Sequence, residues 1–539
     1  MFFNYKYFSR FFIIIVSLHY FHDLAKANGE EHMHPLFNFK ATARLHKRGL
    51  PLLEFKHSKI PELDFNYWQE LGQNRLEKQL KSKSTLNTNL AKNVIMFLGD
   101  GMSIPTLAAG RVYMGGEDKQ FSFEEFPYMG LSKTYCVNTQ VADSACTATA
   151  YLGGVKANYA TIGLTAAVSL YDCDGQNNTA HHVSSLAAWA QDQGMATGIV
   201  TTTRITHASP AGIFAHVANR NWEDDSEILK DNGDPDVCPD IANQLIYGTV
   251  GQKLNVILGG GRTHFLPKLN SNGSRLDGRN LIKEWKSLHG LSGQYIETRE
   301  DLLNLPKSSE RVLGLFAMDH LPYHLDANAT VTPSLDEMVQ VALDMLDFQS
   351  QGKGYFLFVE GGRIDHAHHD ALAMKALDET VEFDKAIRLA QLQTSNEDTL
   401  IVVTSDHSHT MSIAGYSSRR NDIVGINNGQ MGMDGLPYAT LSYANGPGYV
   451  NNLLTQSDGF KRRNLQQVNM DDKNYQFPSV VPLDSETHGG DDVGVFANGP
   501  FAHLFTGVYE QNFIPHAIAH ASCLGSGKTA CSDGLHSRW

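Results

Sequence analysis

The chain has 539 residues, 42% hydrophobic and 19% charged, with a formal charge of -14. This is ordinary globular composition with ample length for a large core. The acidity argues against nucleic-acid binding through a basic face. An acidic protein that handles an anion must supply positive charge locally.

In chain order, Lys6 and Arg10 precede an apolar run, Phe11 to Leu18, and Ala25-Lys26-Ala27 fits an A-x-A cleavage site. A signal peptide is therefore expected over 1–27. The stretch 28–60, rich in His, Lys and Pro, reads as an irregular arm. The run "ELDFNYWQELGQNRLEKQLKSK" reads as a helix whose acidic start and basic end suit the dipole. Short apolar strands then alternate with helices. "NVIMFL" runs into Gly99-Asp100, "NVIL" into Gly259-Gly260-Gly261, "YFLFV" into Glu360-Gly361 and "TLIVVTS" into Asp406-His407. Helices are expected at His182–Gln193, ended by Gly194, and at about Asp370–Gln393. The alternation predicts an α/β fold, a large mostly parallel central sheet with helices on both faces. It fades over 415–484, which reads as an insertion within one catalytic domain spanning 61–539.

Six cysteines without a CxxC, and sequons at Asn177, Asn272 and Asn328, fit an oxidising, secreted setting. No later stretch approaches transmembrane length. The ending "ACSDGLHSRW" lacks the hydrophobic tail of a lipid-anchor signal. A secreted protein without a stable membrane anchor is expected.

Asp100, Glu360 and Asp406 each stand just beyond an apolar strand, where α/β sheets bind ligands. In "EGGRIDHAHHD", a helix after Gly362 would put Asp365 and His369 on one face. His366 and His368 would point elsewhere. In "TSDHSH", Asp406 and His407 can reach one ion if the backbone turns, with His409 as a neighbour. Mixed histidine and oxygen donors suit zinc, and oxygen alone suits magnesium. "QVADSACTATAY" holds a lone serine, Ser144, without a G-x-S-x-G turn or a nearby histidine. A metal is the expected activator, because zinc-coordinated water ionises near pH 7.

The motifs "LGDGM", "DSACTATAY", "HASPAG", "VEGGRIDHAHH", "TSDHSH" and "ETHGGDDVGVFANGP" resemble, in order, those of animal alkaline phosphatases. The resemblance implies hydrolysis of small phosphate monoesters through a phosphoserine at Ser144. It implies two Zn2+ and one Mg2+ per subunit. One zinc would be held by Asp365, His369 and His488, and a second by Asp100, Asp406, His407 and Ser144. Magnesium would take Asp100, Ser209 and Glu360, with His207 and His366 nearby. Arg220 would clamp the phosphate, as a bidentate guanidinium suits. Three divalent cations against four carboxylates, with ionised Ser144 and Arg220 cancelling, leave a surplus suited to a phosphate dianion.

The resemblance also pairs Cys173 with Cys238 and Cys523 with Cys531. It leaves Cys136 and Cys146 open between a bridge and two buried thiols. It implies a homodimer, with 415–484 as a crown-like insertion and Tyr416 reaching the partner. Mammalian relatives carry a flanking calcium site. Ala317 and Thr332 stand at two of its acidic positions and Asp236 matches a third, so calcium is expected to be absent or weak. The rival readings are a phosphodiesterase or sulfatase of the same superfamily, or a non-catalytic secreted binding protein. The absence of a sulfatase motif, the serine at the nucleophile position, Arg220 and the full ligand set argue against them.

Overall fold

The computed structural model describes residues 86–532 apart from 270, 457 and 458, together with residues 67, 69–74 and 77, which are helical. The signal-like segment and the arm lie outside the described residues, as does the extreme carboxyl end. The central sheet is built from β1 (Asn93–Gly99), β2 (Tyr128–Lys133), β3 (Ala196–Arg204), β4 (Val256–Gly260), β5 (Gly293–Ile296), β6 (Arg311–Leu315), β7 (Tyr355–Gly361), β8 (Thr399–Thr404), β9 (Val493–Asn498) and β10 (Gly507–Glu510). Their spatial order is β10-β2-β9-β8-β1-β7-β3-β4-β6-β5. Every pairing is parallel except those of β9 with β2 and β8.

The central strands are apolar throughout because both faces are covered. Val94, Met96 and Leu98 of β1 face one core, with Phe356, Phe358, Leu400 and Val402. Ile95 and Phe97 face the other, with Leu357, Val359, Ile401 and Val403. The first core is closed by α1 (Ser144–Gly153), among other helices. The second is closed by α2 (Leu335–Gln349) and α4 (Ala373–Gln393), the latter following a short α3 (Arg363–His369).

Two helix boundaries differ from the sequence reading. The segment predicted at His182–Gln193 is helical only over Leu186–Asp192. The Ser185 hydroxyl accepts from Ala188 N and sets the start there. Likewise α4 begins at Ala373, not Asp370, because Asp370 closes α3 and Ala371 takes a positive φ of 56°.

Within 415–484, strands Leu441–Gly446 and Ser479–Pro482 join Ser412–Ile413 in a three-stranded sheet. A small core of its own, with Leu441, Tyr443, Leu465 and Phe477, packs on Ala371, Ala373 and Leu377. This places the insertion over the start of α4, beside the carboxyl ends of the strands.

Candidate active site

β8, β1 and β7 are adjacent, so the acids at their carboxyl ends converge. Asp100 and Asp406 lie just past β1 and β8. Glu360 lies inside β7 rather than beyond it, because the parallel pairing continues to Gly99 with Gly361. All three acids are fully buried.

Ser144 opens α1, and Asp143 caps it by accepting from Cys146 N at 3.3 Å. The same Oδ1 accepts from Ala160 N at 3.0 Å, while Oδ2 holds Arg220 Nη1 at 3.0 Å. One carboxylate thus both starts the serine's helix and fixes the arginine. A disulfide joins Cys136 to Cys146 just beyond Ser144, which settles the pairing the sequence left open. Cys173–Cys238 and Cys523–Cys531 are bridged as the resemblance implied.

Ser144 Oγ lies 3.2 Å from His407 Nε2 and 3.5 Å from Asp100 Oδ1. His407 Nδ1 faces the Ser408 carbonyl at 3.3 Å, so Nδ1 carries the proton. The bare Nε2 then points at Asp406 Oδ2, 3.0 Å away, and at Asp100 Oδ1, 3.6 Å away. The same pattern recurs twice. His488 Nδ1 faces the Ala142 carbonyl at 2.7 Å, and His369 Nδ1 faces the Glu486 carbonyl. Their Nε2 lone pairs meet at 3.0 Å, beside Asp365, which lies 3.4 Å from each. Lone pairs and carboxylates turned on one another repel unless a cation lies among them. Histidines that donate one nitrogen to a carbonyl and present the other inward have the arrangement of metal ligands. The described residues therefore fit two zinc-type centres.

A third group differs in chemistry. Asp100, His207 and Glu360 offer atoms all within 4.8 Å of one another. Asp100 Oδ2, Ser209 Oγ and Glu360 Oε1 are buried without a hydrogen-bond partner, although such groups are normally satisfied. His207 Nε2 accepts from Arg220 Nη2 at 3.1 Å, so its Nδ1 bears the proton and offers no lone pair to a cation. The remaining oxygen set suits magnesium. His366 meets His207 edge to face, 5.2 Å between rings, without joining the oxygens.

The electrostatics say the same. Burial and the neighbouring Asp406, Asp365 and Glu360 push Asp100 well above the usual carboxylate range. Burial carries Glu360 to about 7 despite the hydroxyls of Thr201 and Thr203. Carboxylates so crowded hold their charge only beside added cations. Asp365 and Asp406 escape this: burial would raise both, but His369 and His409 hold the first low and His407 the second.

Three residues had no role in the sequence reading. Asp143 precedes Ser144 directly in the sequence, which by itself gives it no role. His409, noted merely as a neighbour, bridges Asp365 and Glu486. Glu486, 1% exposed, was not singled out. The antiparallel pair His409–His488 brings these together, and a two-residue ladder leaves no sequence signal.

Comparison with known proteins agrees with this fold. The family model for alkaline phosphatase matches residues 91–524. The membrane-bound alkaline phosphatase of Bombyx mori is 47% identical over 487 residues, covering 87% of each chain. The human tissue-nonspecific isozyme is 44% identical over 497 residues, covering 88% of this chain and 92% of its own. Among solved structures, the Thermus thermophilus alkaline phosphatase aligns with a TM-score of 0.59 at 22% identity, over 83% of this chain and 94% of its own. The cold-active enzyme of Shewanella sp. aligns with a TM-score of 0.55 at 25% identity, over 80% and 100%. With the sheet, the serine and the convergent ligands in the arrangement described, the chain belongs to the alkaline phosphatase family and is a phosphoric monoester hydrolase.

Proposed function

We propose that the chain hydrolyses phosphate monoesters through Ser144, with two zinc ions and one magnesium ion. Asp365, His369 and His488 would hold one zinc. Asp100, Asp406 and His407, joined by Ser144, would hold the other. Asp100, Ser209 and Glu360 would hold magnesium. Bound there, the ions supply positive charge and lower the pKa of coordinated hydroxyls. Ser144 Oγ attacks phosphorus from the amino end of α1, where helix N–H groups favour anions. Arg220, fixed by Asp143, grips two phosphate oxygens. The alcohol departs, and water then cleaves the phosphoserine. The observation that carries this reading is the set of three bare Nε2 atoms turned on carboxylates and on one another. Its test is metal analysis with nitrophenyl phosphate turnover by wild type and Ser144→Ala, plus acid trapping of labelled phosphoserine. The expected result is metal in both proteins, with turnover and label only in the wild type. Turnover of the diester or sulfate analogues in preference to the monoester would favour the rival readings.

An extracellular homodimeric glycoprotein is the setting we favour. Three disulfides support it, as do the exposed positions of Asn177, Asn272 and Asn328 and of Tyr416 on the insertion. No described helix is long and apolar enough to cross a membrane. The Bombyx relative is named membrane-bound. Detergent phase partition, glycosidase digestion and light scattering of the expressed protein test anchor, glycan and dimer in turn.

A further inference from the structure

We infer that Glu486 is a positioning residue through which the 415–484 insertion holds the Asp365, His369 and His488 ligands in place, an inference that rests on the zinc reading above. Glu486 reaches each ligand by a separate route. Its backbone N donates to the His369 carbonyl at 2.8 Å, and its own carbonyl accepts from His369 Nδ1. Its Oε2 meets His409 Nδ1 at 2.5 Å, and His409 Nε2 meets Asp365 Oδ1 at 2.6 Å. His488 follows two residues later, paired in register with His409. Oε1 accepts from Thr410 N at 2.7 Å and from the Thr410 hydroxyl. Both carboxylate oxygens are therefore engaged, and the side chain has no freedom to turn.

The insertion grips this residue from outside. Asn445, in strand Leu441–Gly446, pairs twice with Thr487, each bond 2.9 Å. Gly446, at φ 122°, lies so close that a Cβ there would stand 2.9 Å from Glu486 Cβ and 3.1 Å from its Cα. Such backbone approach needs glycine, and packed elements transmit a shift of this size rather than absorb it. The path runs from the insertion strand to Glu486, then to three ligands. The path makes no hydrogen bond to Asp100, Asp406 or His407, and it meets that second set only where the His488 ring stacks on His407, 3.5 Å between centroids.

This selectivity sets the test. The rate at which each zinc passes to a chromogenic chelator is measured for wild type, Glu486→Ala, Glu486→Gln and Gly446→Ala. In Glu486→Ala and Gly446→Ala one zinc leaves on the order of 10-fold faster, the usual scale for a lost ligand support, and the other leaves at the wild-type rate. Glu486→Gln, which keeps an acceptor for His409, restores most of the retention. The inference is overturned if both zincs leave at wild-type rates, or if both accelerate by one factor, the sign of general loosening. Should Glu486→Ala not fold, Gly446→Ala carries the same decision, with Glu486→Gln as the control that stays near the wild-type rate. A wild type that holds no zinc overturns the metal reading itself, and this inference with it.

Discussion

Two buried acidic regions of the molecule differ in how their charge is met. On the flank, Arg275 is 1% exposed and binds Asp240 at 2.9 Å and Asp277 at 2.5 Å, with Asp225 at 3.7 Å. Nearby, Arg204 holds Glu223 at 2.6 Å, and His264 sits between Glu223 and Asp224. The chain supplies both signs there. At the strand ends, Asp100, Glu360 and Asp406 are just as buried, yet the closest basic groups are His407, which presents a lone pair, and His207, which burial and Arg220 keep uncharged. The flank is complete as folded, whereas the active site is left short of positive charge. Incomplete satisfaction among buried groups is tolerated where function needs it.

The largest effect that would break this contrast is metal removal. Dialysis against a chelator should lower monoester turnover on the order of 10⁴-fold or more, with circular dichroism unchanged and activity restored by zinc plus magnesium. Survival of turnover would remove the distinction between the regions. Next, Asp100→Asn should lower kcat/KM roughly 10³-fold while the metal-free protein melts no lower than wild type, since a repelled carboxylate is lost. A fall in that Tm would mean Asp100 is structural. Arg220→Ala should cost about 10²-fold in kcat/KM, read from steady-state kinetics. On the flank the pattern should reverse. Arg275→Met should destabilise by about 3–5 kcal/mol, the scale for a broken buried pair, yet leave turnover at 25 °C within about twofold. Smallest is an acid effect. Burial would raise Asp224, but His264, Ser226 and Ser274 donate to it and hold it low. Its contribution is complete above about pH 4, the ordinary carboxylate range, and fades as pH falls toward its depressed value. Melting from pH 5 to 2.5 should show a shallower loss in Asp224→Asn than in wild type.

Much of this was legible because parallel strands buried on both faces are unbroken apolar runs. Asp100 and Asp406 stand where those runs stop, and Asp365 and His369 stand one helical turn apart. Periodicity does not give the helix starts at Leu186 and Ala373, because the Ser185 hydroxyl decides the first and the left-handed Ala371 the second. Glu486 and the Asp143–Arg220 pair stayed hidden for another reason. Their partners lie 77 residues or 76 residues off in the chain, and only the folded sheet brings them together.

The bridge from Cys136 to Cys146 ties the first turn of the serine's helix to the segment after β2. Full activity should therefore require this thiol pair to be oxidised, which assay before and after mild reduction checks. Protein made in a reducing cytosol begins life without this tether, so yield of active enzyme from such hosts will track thiol oxidation rather than translation, and reductant carried through purification will erode it.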